Sequence, residues 1–254
     1  MHLNVIAETS SDGVVDRSFT LGDVPGVLWS PANVVPGAPL LLLGHGGGLH
    51  KRSPGLVARA HEAALRDGFH VAAIDAPGHG DRPRSAQDQA WVDAMLRARD
   101  AGEPLAPIIA PFNGSLAERA VPEWRSTIDA LQSLPEIGAD APIGYAGMTL
   151  ASAIGIPLVV ADPRVRAATF GGVFVYDALV QAARQVTIPI EFLLPWDDPE
   201  IDRESGLALF DCFASEEKTL LAFPGSHFRV PRERIDTGFF ARQLTGSRGA
   251  PAPR

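Results

Sequence analysis

The chain is short of cysteine, of long apolar runs and of clustered positive charge, and each shortage removes a class of protein. One cysteine, Cys212, in 254 residues permits no internal disulfide framework. Its place in an amphipathic stretch reads as core filling rather than as a nucleophile. No apolar run approaches the ~20 residues needed to span a bilayer. The opening residues, MHLNVIAETSSDG, have no basic segment ahead of a long apolar one, so no secretory signal is expected and a cytoplasmic location is the default. Lys and Arg number 22 against 30 Asp and Glu, giving a net charge of −8. With no basic block to form a cationic face, a nucleic-acid partner is not expected, and neither is a membrane partner. No Gly-Lys-Ser or Gly-Lys-Thr string occurs, which removes the phosphate-loop NTPases.

What remains is ordinary for a globular chain: 46% apolar and 20% charged residues. That composition excludes disordered, collagen-like and coiled-coil chains. The length suits one α/β domain over 1–254. The first ~30 residues alternate apolar and polar and carry Gly and Pro, which predicts short antiparallel strands. Thereafter unalternating apolar runs recur at 40–43, 69–74, 143–146, 166–170, 188–194 and 219–223. Runs of that kind are buried on both faces, as in a parallel sheet covered by helices. The intervening segments 54–67, 117–134, 149–160 and 205–214 have helical periodicity. The stretch from about 80 to 116 is too long for a simple crossover and carries its own helical segment near 91–99, so it is expected to form a cap over a pocket. The tail from Gly246 to Arg254 is of low complexity and is expected to fray.

In open parallel sheets, ligands gather at the carboxyl ends of the strands. The residues that follow the predicted strands there are Gly44-His45-Gly46-Gly47-Gly48, Asp75-Ala76-Pro77-Gly78-His79-Gly80, Gly147-Met148-Thr149-Leu150-Ala151, Trp196-Asp197-Asp198 and Pro224-Gly225-Ser226-His227. A hydroxyl, a carboxylate and an imidazole thus come in that chain order. In this the chain resembles the α/β-hydrolase fold family, most closely its dienelactone-hydrolase-like branch of small esterases. The resemblance covers roughly residues 25–240. Each marker is weak alone; five in the right order make a strong fold signal.

One departure stands out. The family's Gly-x-Ser-x-Gly string is absent, and the matching segment has Thr149 for the serine and Ala151 for the second glycine. Threonine still offers a hydroxyl that a histidine can deprotonate, but its methyl stiffens χ1 and crowds the attacking face. Thr149 is the leading nucleophile candidate; Ser152, or no covalent nucleophile at all, are the alternatives. The resemblance further implies His227 as general base and Asp198 as the acid that orients it, with Asp197 as runner-up. It implies an oxyanion hole from the backbone N–H groups of Gly46 or Gly47 and of Leu150. His45, Met148 and Trp196 are candidate substrate contacts. Trp91, Phe112, Trp124 and Phe174 are open between pocket wall and core.

The expected function is hydrolysis of a small carboxylic ester, thioester or lactone through a Thr149–His227–Asp198 relay, with no cofactor. The alternative is a hydrolase fold retooled as a transacylase, lyase, cyclase or ligand-binding protein, which the missing serine supports. A metal on His45, His50, Asp75 and His79 is not expected, because the spacing fits no common zinc pattern. A dinucleotide site is disfavoured: Gly44-x-Gly46 opens like a Rossmann turn, but its third glycine position falls on Leu49. The expected partner is a small-molecule substrate, and the oligomeric state is open between monomer and homodimer.

Overall fold

The computed structural model describes residues 2–231 and 238–246. Its centre is a nine-stranded sheet in the order β1-β2-β3-β5-β4-β6-β7-β8-β9. Strands β1 (Asn4–Ser11), β2 (Val14–Leu21) and β3 (Val24–Pro31) form an antiparallel meander, turned at Asp12-Gly13 and Gly22-Asp23. Both dipeptides suit the tight two-residue turns whose twist matches the flanking strands. β3 then pairs antiparallel with β5 (His70–Ile74). From β5 through β4 (Leu40–Leu43), β6 (Ile143–Ala146), β7 (Val165–Gly171), β8 (Ile190–Pro195) and β9 (Lys218–Phe223) every pairing is parallel.

The run Leu40-Leu41-Leu42-Leu43 shows why an unalternating sequence makes this strand. Leu40 and Leu42 enter one core layer, with Trp124, Ile128 and Ile154. Leu41 and Leu43 enter the opposite layer, with Leu56, Ala60 and Leu244. Both faces are covered, so both sets of alternating side chains must be apolar. The covering helices are α1 (Pro54–Glu62), continued by a π-helical turn over Ala63–Asp67, α2 (Ala86–Asp100), α3 (Ala106–Gln132), α4 (Leu150–Ala161), α5 (Asp177–Ala183), α6 (Arg203–Cys212) and α7 (Phe239–Thr245). Cys212 ends α6 half-buried against the larger core layer.

The strands lie within two residues of their predicted bounds; the helices differ more. α3 begins at Ala106 rather than 117 and runs for 27 residues through Pro111 and Pro122. Pro107 sits in the first turn, where no amide donor is required. The two interior prolines each remove one helical hydrogen bond. The buried face Phe112, Leu116, Ala120, Trp124, Ile128 and Leu131 outweighs that loss. The expected cap over about 80–116 is therefore α2 plus the first three turns of a helix that continues into the crossover. Helices α5 and α7 have no counterpart in the sequence reading. The predicted fraying of the tail concerns residues beyond Gly246, outside those described.

Because β4 is flanked by β5 on one side and β6 on the other, the chain leaves its carboxyl end in opposite directions. Such a switch point opens a crevice between the loops. The loop after β4 is anchored to the loop after β5 by a buried ion pair. Lys51 Nζ donates to Asp75 Oδ2 at 2.7 Å and the Lys51 amide to Oδ1 at 2.8 Å, with the two side chains only 7% and 0% exposed. The Asp81 amide adds a third donor to the same carboxylate at 2.9 Å. These donors outweigh burial and hold the Asp75 carboxyl below the usual carboxylate range. Removing one partner of a buried pair strands the other charge. Lys51→Met should therefore cost about 3 kcal/mol of unfolding free energy in urea melts; a loss below about 1 kcal/mol would show that the pair does not anchor the loops.

Candidate active site

The sharp turn between β6 and α4 forms the apex of the site. Thr149 sits there at φ 56° and ψ −119°. A β-branched residue at positive φ is a strained outlier, costing on the order of 1–3 kcal/mol. Its amide donates to the Gly171 carbonyl at 3.0 Å, which ties the turn to β7. The turn is also pressed close to the helix behind it. A Cβ on Gly147 would lie 2.2 Å from the Ala151 methyl, so glycine is obligatory at 147 as long as alanine stands at 151. The methyl of Ala151 thus fills space that Gly147 leaves open, which is why this exchange is tolerated.

Thr149 Oγ1 faces the loop after β4: a Cβ on Gly46 would come within 2.9 Å of it. Among the described residues Oγ1 has no hydrogen-bond partner, His227 included. Ser152, the alternative hydroxyl, lies fully buried away from the cavity. Its Oγ bonds the Gly147 carbonyl at 2.9 Å and the Gly171 carbonyl at 3.0 Å, and lies 2.8 Å from the Gly171 amide. It is committed to fixing the turn.

His227, in the loop after β9, is joined to Asp198, in the loop after β8. Its Nδ1 lies 2.6 Å from Asp198 Oδ2, and its own amide donates to the same oxygen at 2.6 Å. The other oxygen, Oδ1, accepts from the amides of Glu200 and Ile201, both at 2.9 Å. Burial alone would raise this carboxyl, but these donors hold it below the usual carboxylate range. Asp198 is thus an anion with four donors on it, and it fixes the Nδ1–H tautomer of His227 with Nε2 free to accept a proton. Asp197 instead accepts from the Gly225 amide at 3.3 Å and does not touch the imidazole.

His45, expected as a substrate contact, lines the cavity and also has bonds of its own. It is 4% exposed and its ring is used on both sides. Nδ1–H donates to the Gly46 carbonyl at 2.9 Å, and Nε2 accepts from the Ala76 amide at 3.0 Å. The Leu49 amide also donates to the Gly46 carbonyl, at 3.1 Å. Because carbonyl and amide of one trans peptide point oppositely, pinning the Gly46 oxygen aims the Gly47 N–H the other way. The amides of Gly46, Gly47 and Leu150 donate to no protein acceptor among the described residues. His79 donates through Nδ1 to the Pro77 carbonyl at 2.9 Å and Asp75 is ion-paired, so the residues weighed for a metal have structural bonds of their own.

These loops line a cavity of about 760 Å³, within the range of small-ligand sites. Its floor includes Gly46, Gly47, Met148, Thr149, Leu150 and His227. Its roof comes from α2 through Val92 and Met95 and from α3 through Ile109, Phe112 and Leu116, with Phe174 beside them. Trp91 stacks on Phe112 from behind, with ring centroids 6.2 Å apart, and Trp124 is buried edge-on to Tyr145. Trp196 is corrected: it does not line the cavity. Its ring is 43% exposed, with the Arg203 guanidinium 4.5 Å from its centroid. Pro195 ends β8, and Trp196 and Asp197 beyond it are exposed.

A scan of family models gives no match, and neither does a search of curated proteins. Solved structures do match. A cold-adapted esterase from an Arctic intertidal metagenomic library, in its PEG-bound form, is 28% identical with a TM-score of 0.74, over 96% of this chain and 100% of its own. Est1E from Butyrivibrio proteoclasticus, solved with ferulic acid, has a TM-score of 0.64 at 13% identity over 94% and 99%. Acetyl xylan esterase 1 from Thermoanaerobacterium sp. JW/SL YS485 has a TM-score of 0.62 at 13% identity over 95% and 86%. The last two show likeness of fold alone. With the sheet order and loop positions above, the chain has the α/β-hydrolase fold.

Burial lowers the His45 imidazole to about 4, against an ordinary 6.5, with the Gly46 carbonyl opposing that shift. The unfolded chain therefore binds a proton that the folded chain refuses between those values. Stability contributed by neutral His45 is complete above about pH 6.5 and is lost as pH falls toward 4. Urea melts from pH 7 down to 4.5 should lose about 2–3 kcal/mol through this residue. The slope should be shallower in His45→Gln; equal slopes would contradict the assignment.

Proposed function

We propose that the chain is a carboxylic ester hydrolase acting through Thr149, His227 and Asp198. The observation that carries this reading is the backbone of Thr149: a branched residue kept at φ 56° in the cavity that also holds His227. Backbone strain of that kind persists where the surroundings impose it, and it gathers at sites where one side chain must project. The similarity to the Arctic metagenomic esterase supports the same chemistry.

His227 Nε2 takes the Thr149 proton as Oγ1 attacks the ester carbonyl. Asp198 stabilises the imidazolium through Nδ1–H without itself being protonated. The oxyanion of the tetrahedral intermediate accepts from the N–H groups of Gly47 and Leu150, with Gly47 aimed by His45. The intermediate collapses by expelling the alcohol, which receives its proton from His227. Water, deprotonated by the same imidazole, then attacks the acyl-threonine and releases the acid. The contact between Thr149 Oγ1 and the imidazole closes on substrate binding, as catalytic hydrogen bonds commonly do. The size and mostly apolar lining of the cavity suit a small ester, thioester or lactone, in keeping with the resemblance to the dienelactone-hydrolase-like branch. His45 acts here as a positioning residue, and Met148 as cavity wall.

Two experiments test the proposal. In the first, the protein is incubated with a fluorophosphonate and its intact mass is measured. One adduct mapped to Thr149 is expected, absent in Thr149→Ala. p-Nitrophenyl butyrate turnover should fall about 10²–10⁴-fold in His227→Ala and rise in Thr149→Ser, whose unbranched alcohol relieves the crowding. Turnover unchanged in Thr149→Ala would refute the relay, and an adduct with no turnover would favour the retooled alternative.

The second experiment separates strain from chemistry. Thr149→Gly removes the Cβ that makes φ 56° costly. It should raise unfolding free energy by about 1 kcal/mol or more while ending hydrolysis. A loss of stability would mean that the turn is not strained by its side chain.

A further inference from the structure

The roof of the cavity is apolar apart from Arg99 and Asn113. On α3 the residues that face the cavity are Ile109, Phe112, Asn113 and Leu116, the one-sided spacing of a helix packed over a pocket. Asn113 is only 5% exposed, yet its amide has no hydrogen-bond partner among the described residues. Of the charged groups on the same cavity, Arg99 bonds Glu200 at 3.0 Å and Arg84 bonds Gln89 at 3.0 Å, while Arg229 lies in the loop beside His227, away from α2 and α3 in the chain. An amide that opens on a cavity among apolar side chains, with no protein group to answer it, is the kind of placed polar group that orients a ligand.

We infer that Asn113 recognises a hydroxyl group on the arm of the ester lying beneath α2 and α3, so that the enzyme selects hydroxylated esters over their plain alkyl counterparts. The inference rests on the ester-hydrolase reading above and deepens it. A carboxamide offers both a donor and an acceptor, and a hydroxyl can answer either. Among apolar neighbours that pairing is strong when made and costly when missed. A pocket wall made only of Val92, Met95, Ile109 and Phe112 would instead favour alkyl arms and discriminate weakly between them.

The test compares kcat/KM for matched esters in the wild type, Asn113→Leu and Asn113→Ala. p-Nitrophenyl butyrate against p-nitrophenyl 3-hydroxybutyrate probes the acyl arm. Ethyl butyrate against 2-hydroxyethyl butyrate, followed by proton release, probes the alcohol arm. In one of the two pairs the wild type should prefer the hydroxylated ester by about 10-fold or more, and both variants should bring the ratio near unity. Plain-ester turnover should persist in both. Asn113→Leu should not lower Tm, because no protein group loses a hydrogen-bond partner. Ratios near unity in the wild type, or unmoved by either variant, would overturn the inference while leaving the hydrolase reading intact. A fall in Tm with an unmoved ratio would show Asn113 to be structural. A wild type that hydrolyses none of the four esters and takes up no fluorophosphonate would instead remove the hydrolase reading beneath it.

Discussion

The backbone at Thr149 is the constraint around which the rest of the molecule is arranged. Left to itself, a threonine would relax out of φ 56° at a gain of about 1–3 kcal/mol. It is held there by the Thr149 amide on the Gly171 carbonyl, by Ser152 clamping the Gly147 and Gly171 backbone, and by α4 packed against β6 and β7. Each depends on the parallel sheet being in register. The strain is therefore sustained by the core of the fold, and its effect is to direct one hydroxyl toward the opposite loop.

That opposite loop is fixed by a different device. Lys51 and Asp75 bind the loop after β4 to the loop after β5, and neutral His45 bridges the same two loops through Gly46 and Ala76. The cap is attached in turn to both sides of the crevice. Arg119 of α3 holds Asp88 of α2 in a two-pronged bond of 2.7 and 3.0 Å. Arg99, near the end of α2, holds Glu200, whose amide supports Asp198. The roof is thus tied to the loop after β8, and the loop after β4 to the loop after β5, by polar contacts around the cavity. Rigid first contacts of this kind are what transition-state stabilisation requires, since donors must already be aimed before charge develops.

Much of this was legible in the sequence. The leucine run of β4 could only be a strand buried on both faces, and the order hydroxyl, carboxylate, imidazole after successive strands pointed to a shared edge. Asp198 over Asp197 followed from the resemblance and agrees with the contact to His227. The start of α3 was hidden because Pro107 and Pro111 look like breakers until the burial of Phe112 and Leu116 is known. Trp196 looked like a pocket residue because it adjoins Asp197, yet adjacency along a turn says nothing of direction. Asn113 went unremarked, since one polar residue in a helical stretch gives no signal until its neighbours are known to enclose it.

By itself, the sequence determined the alternation of strands and helices, the chain order of the reactive groups and the replacement of serine by threonine. These are local properties, written in apolar periodicity and in residue identity. Only the tertiary structure decided which carboxylate reaches the imidazole, which hydroxyl is spent on holding the backbone, and which histidine bridges the loops after β4 and β5. Those outcomes turn on distances between segments far apart in the chain, set by sheet register and helix packing, and no residue's identity encodes them alone.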